Sequence, residues 1–463
     1  MTLQSFLRKD PDIEPAEQRR LFSSLFAVAG PIILTNFLQS LYNLTDTYFL
    51  GQLGRNEVSS PATSFSIVFM LLLFSGGFSQ AGRTLISQSR GKGDEKAVNF
   101  YLGQTVSMMI AMGLVLMPLI QLFIPLIFRA MAVPAEILPA TTDYLRIVMA
   151  AMPFLFMSFA LQAAQQGIGR SDIPFYINLV TVGLNILLDW LLIFGIGPFP
   201  AMGVQGAAWA TFIARVLNAA LSLLVVILNR SSGLRLRLKH MRPDREAFKL
   251  IIRIGLPTSL GQSASALGFT VLQGIVNTYG TAVIAAFNIG NRIINLFMMP
   301  AMGFSQATAV MVGQSLGARE RGKAFLAVRQ SLGAVLVMIT VSMTITFFWG
   351  NQVTRFFVDD PEVIEWGAVL FRLVSPSVIF FALFTVFNGA FQGSGDTRPV
   401  AALNALRLWG IRLPVAYVLS ILMGIGPQGI WIGMISSNLI TAAVAFALIL
   451  YRPWDRKLDP EAI

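Results

Sequence analysis

Twelve stretches of about 20 to 30 mostly apolar residues follow one another along this chain, and each is long enough to cross a hydrocarbon core about 30 Å thick as a helix. Their approximate limits are 22–50, 61–86, 99–127, 142–167, 174–196, 203–228, 250–279, 282–314, 325–350, 366–392, 399–424 and 428–451. Only 12% of the residues are charged, whereas a water-soluble domain carries about a quarter. An all-α membrane protein of twelve transmembrane helices follows, and barrels and soluble enzymes are excluded.

The formal net charge of +11 raises the question of nucleic acid, and the placement of the basic residues answers it. They gather at alternate ends of the apolar stretches: Arg8, Lys9, Arg19 and Arg20, then Arg90, Lys92 and Lys96, then the connector from Arg230 to Arg253. Arg319, Arg321 and Lys323 follow, and Arg452, Arg456 and Lys457 close the series. The intervening connectors hold few, chiefly Arg55, Arg129 and Arg355. By the positive-inside rule both termini are cytoplasmic, and the balance reflects topology, with no nucleic-acid partner. Cysteine is absent and His240 is the one histidine, so thiolate sites and Ser-His-Asp chemistry are excluded.

An internal repeat organises the molecule. Gly77-Phe78-Ser79-Gln80-Ala81 recurs unchanged as Gly303-Phe304-Ser305-Gln306-Ala307. The same register pairs Pro31 with Pro257, Gly54 with Gly280, Gln166-Gly167 with Gln392-Gly393, and Gly169 with Gly395. After a small shift, Gly195-Ile196-Gly197-Pro198 matches Gly424-Ile425-Gly426-Pro427. Each half holds six spans, an even number, so the halves are parallel repeats, two six-helix lobes related by pseudo-twofold symmetry about the membrane normal. The expected organisation is a cytoplasmic segment 1–21, an N-terminal lobe 22–228, a basic cytoplasmic connector 229–249, a C-terminal lobe 250–451 and a cytoplasmic tail 452–463.

Two carboxylates fall well inside spans, Asp46 and Asp189, and their repeat partners are Leu272 and Val415. Each costs about 2.5 to 3.5 kcal/mol to place at a bilayer centre, so such residues usually face a polar cavity. Asn185 precedes Asp189 by four residues and shares its helix face. Thr45 adjoins Asp46, and Thr211 lies in the small-residue run Gly206-Ala207-Ala208-Trp209-Ala210-Thr211. Two carboxylates, an amide oxygen and a hydroxyl form an oxygen-only set that suits a hard cation, and close carboxylates equally suit a shared proton. Na+ and H+ coupling both fit. The alternative is structural, with the aspartates bonded to neighbouring helices or to Arg215.

The C-terminal half offers amides and bases instead. Gln262, Gln273, Asn288 and Arg292 are candidates to line a substrate cavity. Arg407 and Arg412 can hold a phosphate or carboxylate, or satisfy backbone carbonyls freed at a break near Pro414. Pro31 is a candidate hinge, or an ordinary helix kink.

The segments Ala29-Gly30-Pro31, Asn43-Leu44-Thr45-Asp46-Thr47-Tyr48-Phe49-Leu50-Gly51, Leu184-Asn185-Ile186-Leu187-Leu188-Asp189 and Gly203-Val204-Gln205-Gly206-Ala207-Ala208-Trp209-Ala210-Thr211 resemble those of the multidrug and toxic compound extrusion (MATE) transporters. The resemblance covers nearly the whole chain and is strongest to the prokaryotic DinF-type branch. It implies a cation site at Asp46, Asn185, Asp189 and Thr211 with Ala207 beside them. The NorM-type branch adds carboxylates in the C-terminal lobe, and none stands in the seventh or tenth span here. The implied function is secondary antiport, in which an organic cation leaves as Na+ or H+ enters by alternating access, with no other cofactor and no enzymatic activity. The implied setting is a monomer in the inner membrane of a prokaryote. A lipid-linked glycan or lipid flippase is the rival, resting on Arg292, Arg407 and Arg412. An intramembrane aspartyl protease is disfavoured because Asp189 follows Ile186-Leu187-Leu188 in place of a Gly-x-Gly-Asp motif.

Overall fold

The computed structural model describes residues 13–229, 233–452 and 454–455, and for 55–58 the backbone course only. Arg8, Lys9, Arg230, Arg456, Lys457 and the Arg55 side chain lie outside the described residues. The rest forms twelve helical rods, because a backbone crossing hydrocarbon must satisfy its own N–H and C=O groups. Ten are long apolar helices, one is a bent pair, and Arg245–Asn277 completes the set. We number them α1 (Pro15–Leu53), α2 (Arg55–Gly91), α3 (Glu95–Ala130), α4 (Leu138–Ala150 and Met152–Gly167, bent by 44°), α5 (Asp172–Phe194) and α6 (Gly203–Leu228). In the second half come α7 (Arg245–Asn277), α8 (Thr281–Gly317), α9 (Arg321–Arg355), α10 (Pro361–Ser394), α11 (Arg398–Leu422) and α12 (Pro427–Tyr451). No β-strand occurs among the described residues.

Local sequence sets several helix ends. Asp94 caps α3 by accepting from the Ala97 N–H at 2.9 Å, and Asp244 serves α7 in the same way through Ala247 at 2.9 Å. Asp360 accepts from Glu362 N–H at 2.9 Å, ahead of α10. Such caps satisfy amides that the first helical turn leaves without partners.

The repeat read from the sequence is repeated in the backbone. Gly195 and Gly424 turn the chain with φ of 70° and 67°, and Gly197 and Gly426 follow at 72° and 78°. Both turns need the left-handed conformation that glycine adopts at no steric cost. Hydrogen bonds keep the register as well. Ser79 donates to the Phe159 carbonyl at 3.1 Å, and Ser305, its repeat partner, donates to the Thr385 carbonyl at 2.5 Å.

The chain forms two compact units, Leu34–Leu256 and a second made of Met1–Ile33 with Pro257–Ile463. The boundaries fall beside Pro31 within α1 and at Pro257 within α7, so each of these helices begins in one unit and continues in the other. In the second unit the start of α1 is part of the core: Leu25, Val28, Ala29 and Ile32 are buried with Phe304, Phe371 and Trp431. Phe26 meets Phe304 edge-on at 5.0 Å, and a side chain at Gly303 would stand 3.3 Å from the Ala29 carbonyl. In the first unit the start of α7 makes the equivalent approach, where a Cβ on Gly255 would lie 3.0 Å from the Phe78 Cα. The register relates Gly255 to Ala29 and Gly77-Phe78 to Gly303-Phe304, so the starts of α1 and α7 are docked by the same device. A matched pair of glutamines supports them. Gln104 of α3 donates to the His240 and Arg242 carbonyls at 2.7 Å, and Gln330 of α9 donates to the Gln18 carbonyl at 2.8 Å.

Proline at 414 does not break α11 outright. The helix widens into π turns over Leu406–Arg412 and Val418–Leu422 on either side of it. Widened turns of this kind absorb the missing proline N–H and its ring.

Candidate cation-coupling site

The unit Leu34–Leu256 gathers polar side chains from four helices. α1 carries Tyr42 and Asp46, α5 carries Asn185 and Asp189, and α6 carries Ala207, Thr211 and Arg215. Every pair is spaced by four residues, which stacks the members on one face of each helix. Tyr144 joins them from α4. Asp189 is fully buried, Asn185 is 1% exposed and Thr211 is 4% exposed, while Asp46 is half-buried.

The hydrogen bonding of this group is incomplete. The Tyr42 hydroxyl and Thr211 Oγ1 lie 3.0 Å apart. Both carboxylate oxygens of Asp189, both polar atoms of the Asn185 amide, and Asp46 Oδ1 are buried with no hydrogen-bond partner in the protein. Asp46 and Asp189 are within electrostatic reach of each other and of Tyr42 and Tyr144. Arg215 is also within reach, yet no ion pair links it to either aspartate among the described residues. Its Nη1 instead donates to the Val148 carbonyl at 3.4 Å. A buried polar group left without a partner costs about 1 to 3 kcal/mol, and a charged one more. These costly atoms are grouped, and all but one of them is oxygen, a chemistry that suits a cation or a proton.

Below Asn185 the polar face of α5 continues in a completed network. Asn218 Nδ2 donates to Thr181 Oγ1 at 3.0 Å and to Asn178 Oδ1 at 3.3 Å, and Gln162 Nε2 donates to Asn218 Oδ1 at 3.2 Å. The contrast isolates the unsatisfied atoms: the network is glue between helices, while Asp46, Asn185 and Asp189 are not so engaged.

The substrate-cavity candidates belong to the other unit. Gln262 is half-buried on α7, and Gln273 donates to Asn277 of the same helix at 2.9 Å. Asn288 and Arg292 are exposed one turn apart on α8. Arg407 and Arg412 are 4% and 3% exposed. Arg412 donates to Ser437 Oγ at 2.9 Å and to Asn438 Oδ1 at 2.8 Å, and Asn438 in turn donates to Ser377 at 3.1 Å. Arg407 lies over the Phe381 ring at 4.4 Å. Arg412 is thus engaged by α12 side chains and Arg407 by an α10 ring, which leaves Arg292 as the exposed member of the three arginines invoked for pyrophosphate.

Sequence reading missed Tyr42 and Tyr144. Tyr42 had a usable signal, since it stands one helical turn before Asp46. Tyr144 carried none.

The MatE family profile matches residues 31–191 and, a second time, residues 257–418. The chain belongs to the MatE family of MATE transporters. The two matches begin at Pro31 and Pro257, the prolines beside which the compact units divide. The "Probable multidrug resistance protein NorM" of Thermotoga maritima is 29% identical over 94% of this chain and 93% of its own length. The "Probable multidrug resistance protein YoeA" of Bacillus subtilis is 28% identical, covering 92% and 91%. A crystal structure of MATE in the bent conformation superposes with a TM-score of 0.88 at 21% identity over 94% of this chain and 97% of that one, which shows the fold. The chain is therefore a multi-pass membrane protein of a multidrug-efflux transporter family, and its relatives are named as transporters, not as enzymes.

Proposed function

We propose that this MATE protein is a secondary antiporter that exports organic cations in exchange for Na+ or H+ by alternating access, and that Asp46, Asn185, Asp189 and Thr211, with Ala207 alongside, hold the coupling ion. The observation that carries this reading is the set of buried oxygens on Asp46, Asn185 and Asp189 with no partner in the protein. Two carboxylates, one amide oxygen and one hydroxyl suit Na+, and either carboxylate can take a proton in its place. Na+ and H+ would compete for the same oxygens, so either can serve as the ion whose entry is exchanged for the organic cation. A one-for-one exchange of monovalent cations is driven by the ion's concentration gradient alone; each net positive charge carried inward by further coupling ions adds about 2.3 kcal/mol per 100 mV, a concentration ratio of about fifty.

Asp46 lies on the part of α1 beyond Pro31, so ion binding acts on a helix that passes from one unit to the other. Pro31 is the hinge in this scheme. The repeat lobes 22–228 and 250–451 supply the alternating frame, and Gln262, Gln273, Asn288 and Arg292 contribute to the drug-binding surface. The positive-inside pattern of the basic connectors supports cytoplasmic termini in a prokaryotic inner membrane, this reading takes the protein as a monomer, and the absence of Asp and Glu from spans 250–279 and 366–392 favours the DinF-type branch.

Efflux of a fluorescent organic cation from proteoliposomes, driven by an imposed Na+ or H+ gradient, tests the reading. Wild-type protein should respond to at least one gradient, and Asp46→Asn and Asp189→Asn should each abolish the response. Gradient-driven efflux that survives in both variants would remove the aspartates from coupling.

A further inference from the structure

We propose that the membrane-facing end of the α9–α10 hairpin binds the headgroup of a zwitterionic phospholipid, phosphatidylethanolamine being the best chemical match. A cavity of about 620 Å³ opens there, lined by Asn351, Gln352, Arg355, Asp359, Glu365 and Arg372. It brings together two bases and two acids whose pairing is loose. Arg355 and Asp359 are 4.0 Å apart and 73% and 95% exposed, and neither Glu365 nor Arg372 has an ion-pair partner among the described residues.

Arg372 sits eleven residues into α10, which is about 16 Å along the helix. The 34-residue helix is longer than a hydrocarbon core of about 30 Å requires, so its first turns project beyond the core and Arg372 lies near the boundary. An exposed arginine at that depth needs an anion or a path to the interface. Helical side chains lean toward the N-terminus, here toward Glu365 two turns away and toward Arg355. Exposed aromatics lie close in sequence to the lining residues Asn351, Gln352, Arg355 and Asp359: Phe348 is 69% exposed, Trp349 52%, Phe356 85% and Phe357 47%. Trp349 departs from helical geometry with φ −111° and ψ 23°, so α9 is interrupted where the cavity opens. Tryptophan is enriched at the bilayer–water interface, which suits Trp349 there, and the exposed phenylalanines beside it offer apolar surface to acyl chains.

The charge arrangement selects the headgroup. A phosphodiester meets Arg372 and Arg355 through charge-assisted hydrogen bonds, and a primary ammonium donates to Glu365 and Asp359. Phosphatidylglycerol would satisfy the arginines and leave the carboxylates without a cation. A choline headgroup has no N–H to donate. The proposal presupposes only that the chain spans a bilayer, and it stands whatever ion drives transport.

Native mass spectrometry of the full-length protein, delipidated and then offered phosphatidylethanolamine, phosphatidylglycerol or soluble glycerophosphoethanolamine, decides the matter. Wild type should retain phosphatidylethanolamine about tenfold better than phosphatidylglycerol, as expected for one charge-assisted contact. Glu365→Gln should erase that preference, Arg372→Gln should weaken both lipids, and Arg372→Lys should restore part of the binding. Equal retention by wild type and the Gln variants would overturn the proposal, as would equal retention of the two lipids by wild type. Full displacement by the soluble headgroup would assign the cavity to a free zwitterion and overturn the lipid assignment. Both positions are exposed, and thermal unfolding of each variant confirms that folding is intact.

Discussion

Tyr42 and Thr211 share a hydrogen bond of 3.0 Å that joins α1 to α6 one helical turn from Asp46. The bond ties the Asp46-bearing helix to the wall of the candidate ion site. Tyr42→Phe keeps the ring and removes the bond, so apparent affinity for the coupling ion should fall about 3- to 10-fold, the worth of one neutral hydrogen bond. Thr211→Val should cost at least as much, because it also removes an oxygen proposed to hold the ion. The double variant should be no worse than Thr211→Val alone in ion-dependent efflux. Additive losses would show that the two side chains act independently.

Asp189 is fully buried and neither of its oxygens has a protein partner, which makes its charge a burden on the ion-free fold. Asp189→Asn should therefore raise thermal stability in sodium-free detergent and remove any stabilisation by added Na+. For wild type that stabilisation is about 2.7 kcal/mol at a hundred times the dissociation constant. Protons compete for the same oxygens, so the sodium effect should shrink as pH falls. A thermal-shift titration at several pH values reads both. A sodium effect that persists in Asp189→Asn would place the ion elsewhere.

The polar residues of this site were legible because a carboxylate in an apolar run is costly and therefore rare, and because Asn185 and Asp189 are one helical turn apart. Tyr42 offered one signal, its place a helical turn before Asp46, whereas Tyr144 offered none, since an amphipathic aromatic in a span is ordinary and its neighbours sit on other helices. The repeat was legible from Gly77-Phe78-Ser79-Gln80-Ala81 and its copy, and the structure adds why the serine is there: it bonds a carbonyl of a neighbouring helix in both halves. The docking of the start of α1 beside α8, and of α7 beside α2, had no sequence signal. It depends on contacts between residues more than a hundred positions apart, which no local pattern encodes. Pro414 marked a disturbance in α11, but the choice of π turns over a break is set by packing, with Arg412 bound to Ser437 and Asn438 of α12.

Arg412 should prove structural. Arg412→Met fills similar volume but leaves Ser437 and Asn438 buried without their donor, so a loss of about 2 to 4 kcal/mol is expected. Ion coupling through Asp46 and Asp189 should be retained in the protein that folds. Thermal unfolding and gradient-driven efflux, measured on one preparation, check the two halves of this statement. A stable variant that has lost substrate recognition would move Arg412 into the transport path.

Gly255 tests the docking of the α7 start directly. A Cβ there would stand 3.0 Å from the Phe78 Cα and 3.1 Å from the Gly77 carbonyl, and backbone cannot swing aside as a long side chain can. Gly255→Val should destabilise the protein by about 1 to 3 kcal/mol through overpacking. Gly274, farther along α7, has nothing within 4 Å of a built Cβ. Gly274→Ala should therefore be neutral, or stabilising by up to about 1 kcal/mol from helix propensity. Thermal unfolding in detergent separates the two, and equal effects at both positions would show that α7 does not approach α2 as closely as the Gly255 geometry requires.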